Sequence, residues 1–410
     1  MLNSQVNRPL LSIIIPTFNR IPYAISAINS ILSIDSSKLE LVIQDNSETL
    51  GLKEHIEANV TDSRLIYQHI SKRLSIVDNF NEGMEISTGE YVCFIGDDDG
   101  VNPEIIEAAM WAKNNDLDSL SIRQTAHYLW PDTGLKSTAF TNVVGGNLSI
   151  KQFSSEIVEI NLEEELKKLM KNGGLYYLDY DMPKVYHGIA RRECFNLIKE
   201  KTGGYFGGAS PDMFSSIALA CVSKKAAIVE YPLTIPGHCS VAEVTHHIEK
   251  AHLRPMENAP HFKGRGEYKW SPLVPFIFIG EAFWVDAGVA ALKAMERDDL
   301  IQELNVPKLC AYCAAGYSGL MKLTLTHLLK VFKLQKKNVF FGGGQFLLGL
   351  ITGPFLRFTK RVWNRLMLIL KVTKKIELNG VEDMTDCSIK LSKFLTENDF
   401  SFSSCKVRKL

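Results

Sequence analysis

The feature that most constrains this chain is an alternation, over its first hundred residues, of short β-branched runs and amphipathic helical patterns. Leu11–Ile15 is one such run, ended by Pro16-Thr17-Phe18-Asn19-Arg20. Apolar Ile21, Ala24, Ile25, Ile28, Ile31 and Leu32 then recur at helical spacing. Leu39–Ile43 predicts a second strand ending at Asp45-Asn46, with a helix from Leu52 to Asn59. Arg64–His69 predicts a third strand, Ile76–Ile86 a third helix and Tyr91–Phe94 a fourth strand. Strands that are apolar throughout, alternating with helices, predict an α/β fold with a mostly parallel sheet covered on both faces. In such sheets a ligand sits outside the carboxyl ends of the strands. Phe18-Asn19-Arg20, Asp45-Asn46 and Asp97-Asp98-Asp99 all stand at those ends, so one crevice can collect them.

The fourth strand runs into Ile95-Gly96-Asp97-Asp98-Asp99-Gly100. Three consecutive carboxylates repel one another and resist desolvation unless a cation or solvent neutralises them. A strand end so charged suits a hard divalent ion, Mg²⁺ or Mn²⁺, which in turn suits a diphosphate. The same residues also fit a solvated turn that caps a helix starting near Pro103. The cluster alone leaves both readings open.

SIIIPTFNR, VIQDNS and NFNEGMEISTGEYVCFIGDDD, in this order and spacing, resemble the nucleotide-sugar-binding half of the family 2 glycosyltransferases. The likeness is close over about residues 10–125 and weakens to about 240. It implies a GT-A fold, a UDP-sugar donor, an inverting transfer and a bound Mn²⁺ or Mg²⁺. It implies that Pro16, Thr17, Asn19 and Arg20 hold the nucleoside and that Asp45 hydrogen-bonds the base, usually uracil. Asn81 and Gly83 match a turn of the third helix near the pyrophosphate. The acidic run matches the family's DxD metal motif in two registers. Taken as it stands, Asp97 and Asp99 ligate the metal with Asp98 beside them on the nucleotide sugar. The commoner Asp-x-Asp-Asp pattern puts Gly96 at the first acid and Asp98 at the last DxD acid. Asp45 also fits a turn cap and Arg20 a solvated surface, while Lys72 and Arg73, in a loop before the third helix, fit either a solvated surface or cations that meet a phosphate.

An inverting transfer needs a carboxylate beside the acceptor hydroxyl. The candidate is Asp212 in Gly207-Gly208-Ala209-Ser210-Pro211-Asp212, which opens an apolar helix. The family carries a Glu-Asp or similar acid here, so Ser-Pro-Asp is a partial match. Ser210 as N-cap, Pro211 as first helical residue and Asp212 as first-turn acid explain the same residues structurally. His238, after the strand-like Ala227–Tyr231, is a candidate further metal ligand, or a satisfied loop histidine. His187 is read as structural, on a strand lining the acceptor cleft. His246, His247 and His252 make a poor metal set.

The chain has room for two or three domains. Residues 1–250 are expected to form the catalytic domain (1–125 nucleotide-sugar half, 126–250 acceptor half), 251–335 a helical region and 336–410 a basic C-terminal region. Net charge is zero, which implies no general affinity for nucleic acid. Eight scattered cysteines and no signal peptide predict a reducing, cytoplasmic setting. Cys310-Ala311-Tyr312-Cys313 reads as core packing, since no partner pair accompanies it. From Leu304 to Ile376 there is no Asp or Glu but 13 Lys and Arg. Within this stretch Phe355–Val372 reads as a basic amphipathic helix, so residues 355–375 are expected on an anionic membrane surface, on its inner face. A glycan or lipid-linked sugar could meet the enzyme there as acceptor. A helix packed on the catalytic domain is the alternative. Bacterial surface polysaccharide synthesis follows from the resemblance only. Two rival readings are another nucleotide-dependent transferase and a non-catalytic nucleotide-sugar-binding module. The first would need a Gly-rich loop after the first strand, and Pro16–Arg20 has no glycine.

Overall fold

The computed structural model describes residues 8–135, 137, 143–241, 256, 259–317, 319–335, 338, 340–352, 359 and 374–408. The expected strands and helices form in order: β1 Leu11–Thr17, α1 Ile21–Leu32, β2 Leu39–Asp45, α2 Gly51–Asn59, β3 Leu65–His69, α3 Ile76–Ile86 and β4 Tyr91–Phe94. β5 Gly100–Val101, α4 Ile105–Asn114, β6 Ser119–Ile122, β7 Ala126–Leu129, β8 Asn147–Lys151 and β9 Glu156–Glu159 follow. Then come α5 Leu162–Lys171, β10 Gly188–Arg191, α6 Arg192–Thr202, α7 Pro211–Val222, β11 Ala226–Val229, β12 Thr234–Ile235 and β13 Gly237–His238.

The main sheet has the order β15-β9-β11-β6-β10-β4-β1-β2-β3, where β15 is Lys406–Arg408. β3, β2, β1 and β4 are mutually parallel, with Thr17 opposite Asp45 and Ile14 opposite Phe94. β10 runs antiparallel between β4 and β6. Alternation along the strands sends side chains to two separate cores. Ile14, Val42 and Phe94 face α3, α6 and α7, whereas Ile13, Ile15, Leu41, Ile43 and Cys93 face α1 and α4. Burial on both faces is why these strands read as continuous apolar runs.

Helices Gly280–Ala294, Val306–Gly316, Met321–Gln335 and 340–352 form the helical C-terminal region. Gly280–Ala294 packs on α7, with Gly288 against Met213 and Ile217. Cys310 and Cys313 are fully buried in this region, as core residues. Of the expected membrane helix 355–372, only residue 359 lies within the described residues.

The last residues, for which the sequence offers no account, return to the first domain. Strand Lys375–Asn379 (β14) pairs antiparallel with β8 along its whole length, and β15 adds to β9. Helix Met384–Glu397 caps the α1 face: the Met384 amide donates to Ser26 Oγ at 3.0 Å and Ser388 Oγ to the Val101 carbonyl at 3.0 Å. Residues 375–408 therefore pair and pack with elements of the first 250 residues. Met384 is fully buried against Gly100. Met384→Ala is expected to lower stability by about 2–5 kcal/mol in denaturant unfolding. An unchanged midpoint would show that this helix is not docked.

Candidate active site

The carboxyl ends of β1 and β4 open into a cavity of about 460 Å³. Pro16, Thr17, Phe18 and Arg20 line it from β1, Asn79 from α3, and Gly96 with Asp97, Asp98 and Asp99 from β4. Tyr186 and His187 line it ahead of β10, Asp212 from the first turn of α7, and His238 from β13. A larger cavity of about 960 Å³, beside Lys171, Asp299 and Phe332, collects none of the motif residues.

The three carboxylates are buried and have different partners. Asp97 accepts from Thr17 Oγ1 at 2.6 Å and from Arg20 Nη1 at 3.0 Å. Asp99 accepts four donors: the Gly237 amide (2.7 Å) on Oδ1, and the Gly96 amide (2.6 Å), Tyr186 hydroxyl (3.1 Å) and His187 Nε2 (3.0 Å) on Oδ2. Burial alone would raise its pKa, but His187 and the two amides outweigh that and hold it below the usual carboxylate range. Asp98 has weaker partners, the Cys239 amide at 3.4 Å and Arg20 Nη1 at 3.5 Å. Burial, then the negative charges of Asp99 and Asp97, push its carboxyl up to about 7.

This pattern bears on the metal. Asp99 accepts protein donors on both oxygens, one on Oδ1 and three on Oδ2, which leaves it fewer lone pairs for an ion than the literal DxD register asks of it. Asp97 is paired with Arg20, yet burial still holds its carboxyl above the usual range. Asp98, whose contacts are the longest of the three, is a carboxylate that a divalent ion would relieve. His238 lines the same cavity, and burial lowers its pKa, which favours the neutral, ligating imidazole. Among the described residues no three His, Cys, Asp or Glu side chains form a preformed cation cluster. Asp98 and His238 thus fit an ion that takes most of its ligands from a diphosphate and water, as Mg²⁺ does.

Local sequence explains the placements. Asn19 adopts a left-handed backbone (φ 56°), which asparagine tolerates, and turns the chain from β1 into α1. Its amide donates to Ser47 Oγ at 2.8 Å and its side-chain oxygen accepts the Glu48 amide at 2.9 Å. Gly237 is required where it stands, because a Cβ there would lie 1.7 Å from the Asp98 carbonyl. Pro211 starts α7 after an extended Ser210, whose side chain makes no cap bond, so the expected serine cap is not formed.

Three expected site residues stand outside the cavity lining. Asp45 is fully buried beneath it, accepting from Tyr67 Oη and the Ser47 amide, both at 2.8 Å. Asn19 ties two strand-end loops together. Asn81 points to the other side of α3, where it accepts the Tyr205 and Phe206 amides at 2.8 and 3.0 Å and braces the loop before Asp212. Two residues, about 200° of helical rotation, separate the lining and bracing positions, so Asn79 faces the cavity instead. His187 is not on a strand: it precedes β10 with φ 54° and lines the cavity from there. Asn79 opens the third quoted motif, whereas Tyr186 stands outside all three. Arg73, read as surface or phosphate contact, lies over the Phe18 ring at 3.4 Å, and both line the cavity.

The fold is a mostly parallel α/β sheet covered by helices, with an acidic crevice at its strand ends. Residues 12–133 match the family model described as Glycosyl transferase family 2. The putative colanic acid biosynthesis glycosyl transferase WcaA of Escherichia coli K12 is 36% identical over 99 residues, 24% of this chain and 35% of that protein. The GalNAc(5)-diNAcBac-PP-undecaprenol beta-1,3-glucosyltransferase of Campylobacter jejuni is 32% identical over 93 residues, 22% of this chain and 30% of that protein. The chain thus spans about a third of the length of these two relatives. Residues 1–349 of Staphylococcus aureus TarS, solved with UDP-GlcNAc, align at a TM-score of 0.42 and 16% identity, over 80% of this chain and 93% of that one.

Proposed function

We propose that this chain is an inverting glycosyltransferase that moves a sugar from a UDP-sugar to an acceptor hydroxyl in bacterial glycan synthesis. The observation that carries the reading is one cavity bearing a destabilised carboxylate, Asp98, at a strand end and a second carboxylate, Asp212, in a helix's first turn. The family domain and the glycan-building relatives support it.

Residues of β1 and α3 bound the nucleoside end, where Thr17 and Asn79 offer polar groups and Phe18 with Arg73 forms a flat shelf. A bound Mn²⁺ or Mg²⁺, held by Asp98 and His238, would stabilise the charge that develops on the departing diphosphate. Arg20 holds Asp97 in place. Asp212 accepts the proton of the acceptor hydroxyl as its oxygen attacks the anomeric carbon from the face opposite the diphosphate. The buried floor of Tyr186, Phe80 and Ile95 limits water at the reacting carbon.

The test is donor hydrolysis and binding across UDP- and GDP-sugars with Mn²⁺, Mg²⁺ or a chelator. One metal-dependent UDP-sugar is the expected result. Binding of every donor alike, with no turnover, would favour the binding-module reading. Mn²⁺ must displace the Asp98 proton, so its affinity is expected to be flat above about pH 7 and to fall about tenfold per unit below it. Mn²⁺ titrations followed by electron paramagnetic resonance check this, and a pH-independent affinity would place the ion elsewhere.

The acceptor is proposed to be lipid-linked and met at an anionic membrane surface. Among the described residues no helix is long and apolar enough to cross a membrane. Two helices nonetheless expose a row of apolar side chains: Leu325, Leu329 and Leu334 on Met321–Gln335, and Phe340 (92% exposed), Phe341 and Leu348 on 340–352. They lie in the stretch that has no acids, so cations flank the apolar row. Phosphatidylglycerol vesicles are expected to sediment the protein at low salt and phosphatidylcholine vesicles to leave it in solution. Replacing Phe340 and Phe341 by Ser should weaken sedimentation by about tenfold or more. Equal recovery from both lipids would reject the surface.

A further inference from the structure

We infer that His187 reads a hydroxyl of the transferred sugar, a specificity contact that rests on the donor-binding reading above. The His187 side chain is 2% exposed yet lines the cavity. Its Nε2 lies 3.0 Å from Asp99 Oδ2, and its Nδ1 is buried with no hydrogen-bond partner. Buried polar atoms in native proteins are nearly always paired, so a buried, unpartnered nitrogen on a residue that lines the cavity points to a ligand group.

Nε2 donates to the Asp99 carboxylate, so Nδ1 is the ring atom left for a ligand. A hydroxyl can both donate and accept, so it pairs with this nitrogen in either role, and the transferred sugar presents several hydroxyls. The backbone is built to hold this placement. The His187 amide donates to the Phe94 carbonyl at 2.9 Å, at the end of β4, and the residue adopts a left-handed conformation that histidine enters more readily than most side chains. Tyr186, packed edge-on to the ring, donates to the same Asp99. Imidazole, carboxylate and strand end thus form one rigid unit beside Asp98, where the sugar follows the diphosphate.

Two substitutions separate the two nitrogens. His187→Gln can keep a donor toward Asp99 but puts nothing at the Nδ1 position. His187→Asn can keep a polar atom near Nδ1 and also tolerates the left-handed backbone. Binding of UDP, and of the UDP-sugar selected by the donor panel, is measured for each by calorimetry, with donor hydrolysis measured in the absence of acceptor. For His187→Gln, UDP affinity is expected within about twofold of wild type, while UDP-sugar affinity and hydrolysis fall about tenfold or more. His187→Asn should recover part of that loss. One monodeoxy analogue of the sugar should bind about tenfold more weakly to wild type and be indistinguishable from the parent to His187→Gln. A parallel loss of UDP and UDP-sugar affinity would put Nδ1 on phosphate or make His187 purely structural, and would overturn the inference. So would unchanged affinity for both. If wild type binds no nucleoside diphosphate, the glycosyltransferase reading fails first; normal UDP binding with no effect of His187 would defeat this inference alone.

Discussion

Asp212→Asn is expected to lower turnover by about 10²–10⁴-fold while leaving UDP-sugar binding near wild type. Asp212 is half-buried in the first turn of α7, whose later residues Met213–Ala220 are almost wholly buried and hold the helix in place. The loop before it is also tightly held. A Cβ on Gly208 (φ 63°) would lie 2.6 Å from Ala287 Cα, and Asn81 braces Tyr205 and Phe206. A carboxylate fixed this way can accept a proton without a prior rearrangement. Asparagine keeps the shape and polarity of the side chain and removes only its basicity, so the effect should fall on kcat and not on donor affinity. Retention of turnover within about threefold would remove Asp212 from the role of base.

The second large effect separates two neighbouring carboxylates. Asp98→Ala should abolish metal-dependent donor binding and turnover without unfolding the protein. Asp99→Ala should destabilise the fold by about 3–5 kcal/mol, because it strands two backbone amides, a tyrosine hydroxyl and an imidazole that now share one buried carboxylate. The two pKa shifts have opposite signs, and so do their consequences. Asp99 is held below the usual range, so its contribution is present at neutral pH and is lost as pH falls through its folded value. Asp98 is raised to about 7, so stability is lost as pH rises from the ordinary carboxylate range to about 7, and the full cost is present above that. Metal-free Asp98→Asn is therefore expected to melt higher than wild type in mildly alkaline buffer. Thermal unfolding with and without Mn²⁺ checks both variants. A stable Asp99→Ala protein that had lost only its metal response would restore the literal DxD register.

Much of this architecture is legible along the chain because it is local. Runs such as Leu11–Ile15 and Leu39–Ile43 are buried on both sides, and continuous apolarity followed by a helical pattern admits little besides a parallel, doubly covered sheet. The same order places Thr17, Arg20 and the acidic run at strand ends, and the cavity forms there. The C-terminal helix Met384–Glu397 shows where this stops. Its amphipathic pattern is readable, but nothing in it names α1 as its partner, since the contacts at Ser26 and Val101 are more than 280 residues distant in sequence.

The sequence by itself determined the sheet, the order of its strands in the chain and the residue types gathered at the crevice, because propensity and periodicity act over a few residues. Tertiary structure alone decided what each of those residues does. It divided Asp97, Asp98 and Asp99 into an arginine partner, a candidate ligand and a buried anchor. It turned Asn79 inward and Asn81 away, and it set His187 against Asp99. Those outcomes depend on which distant donors reach a side chain and how far water is excluded from it, and both are properties of the packed chain.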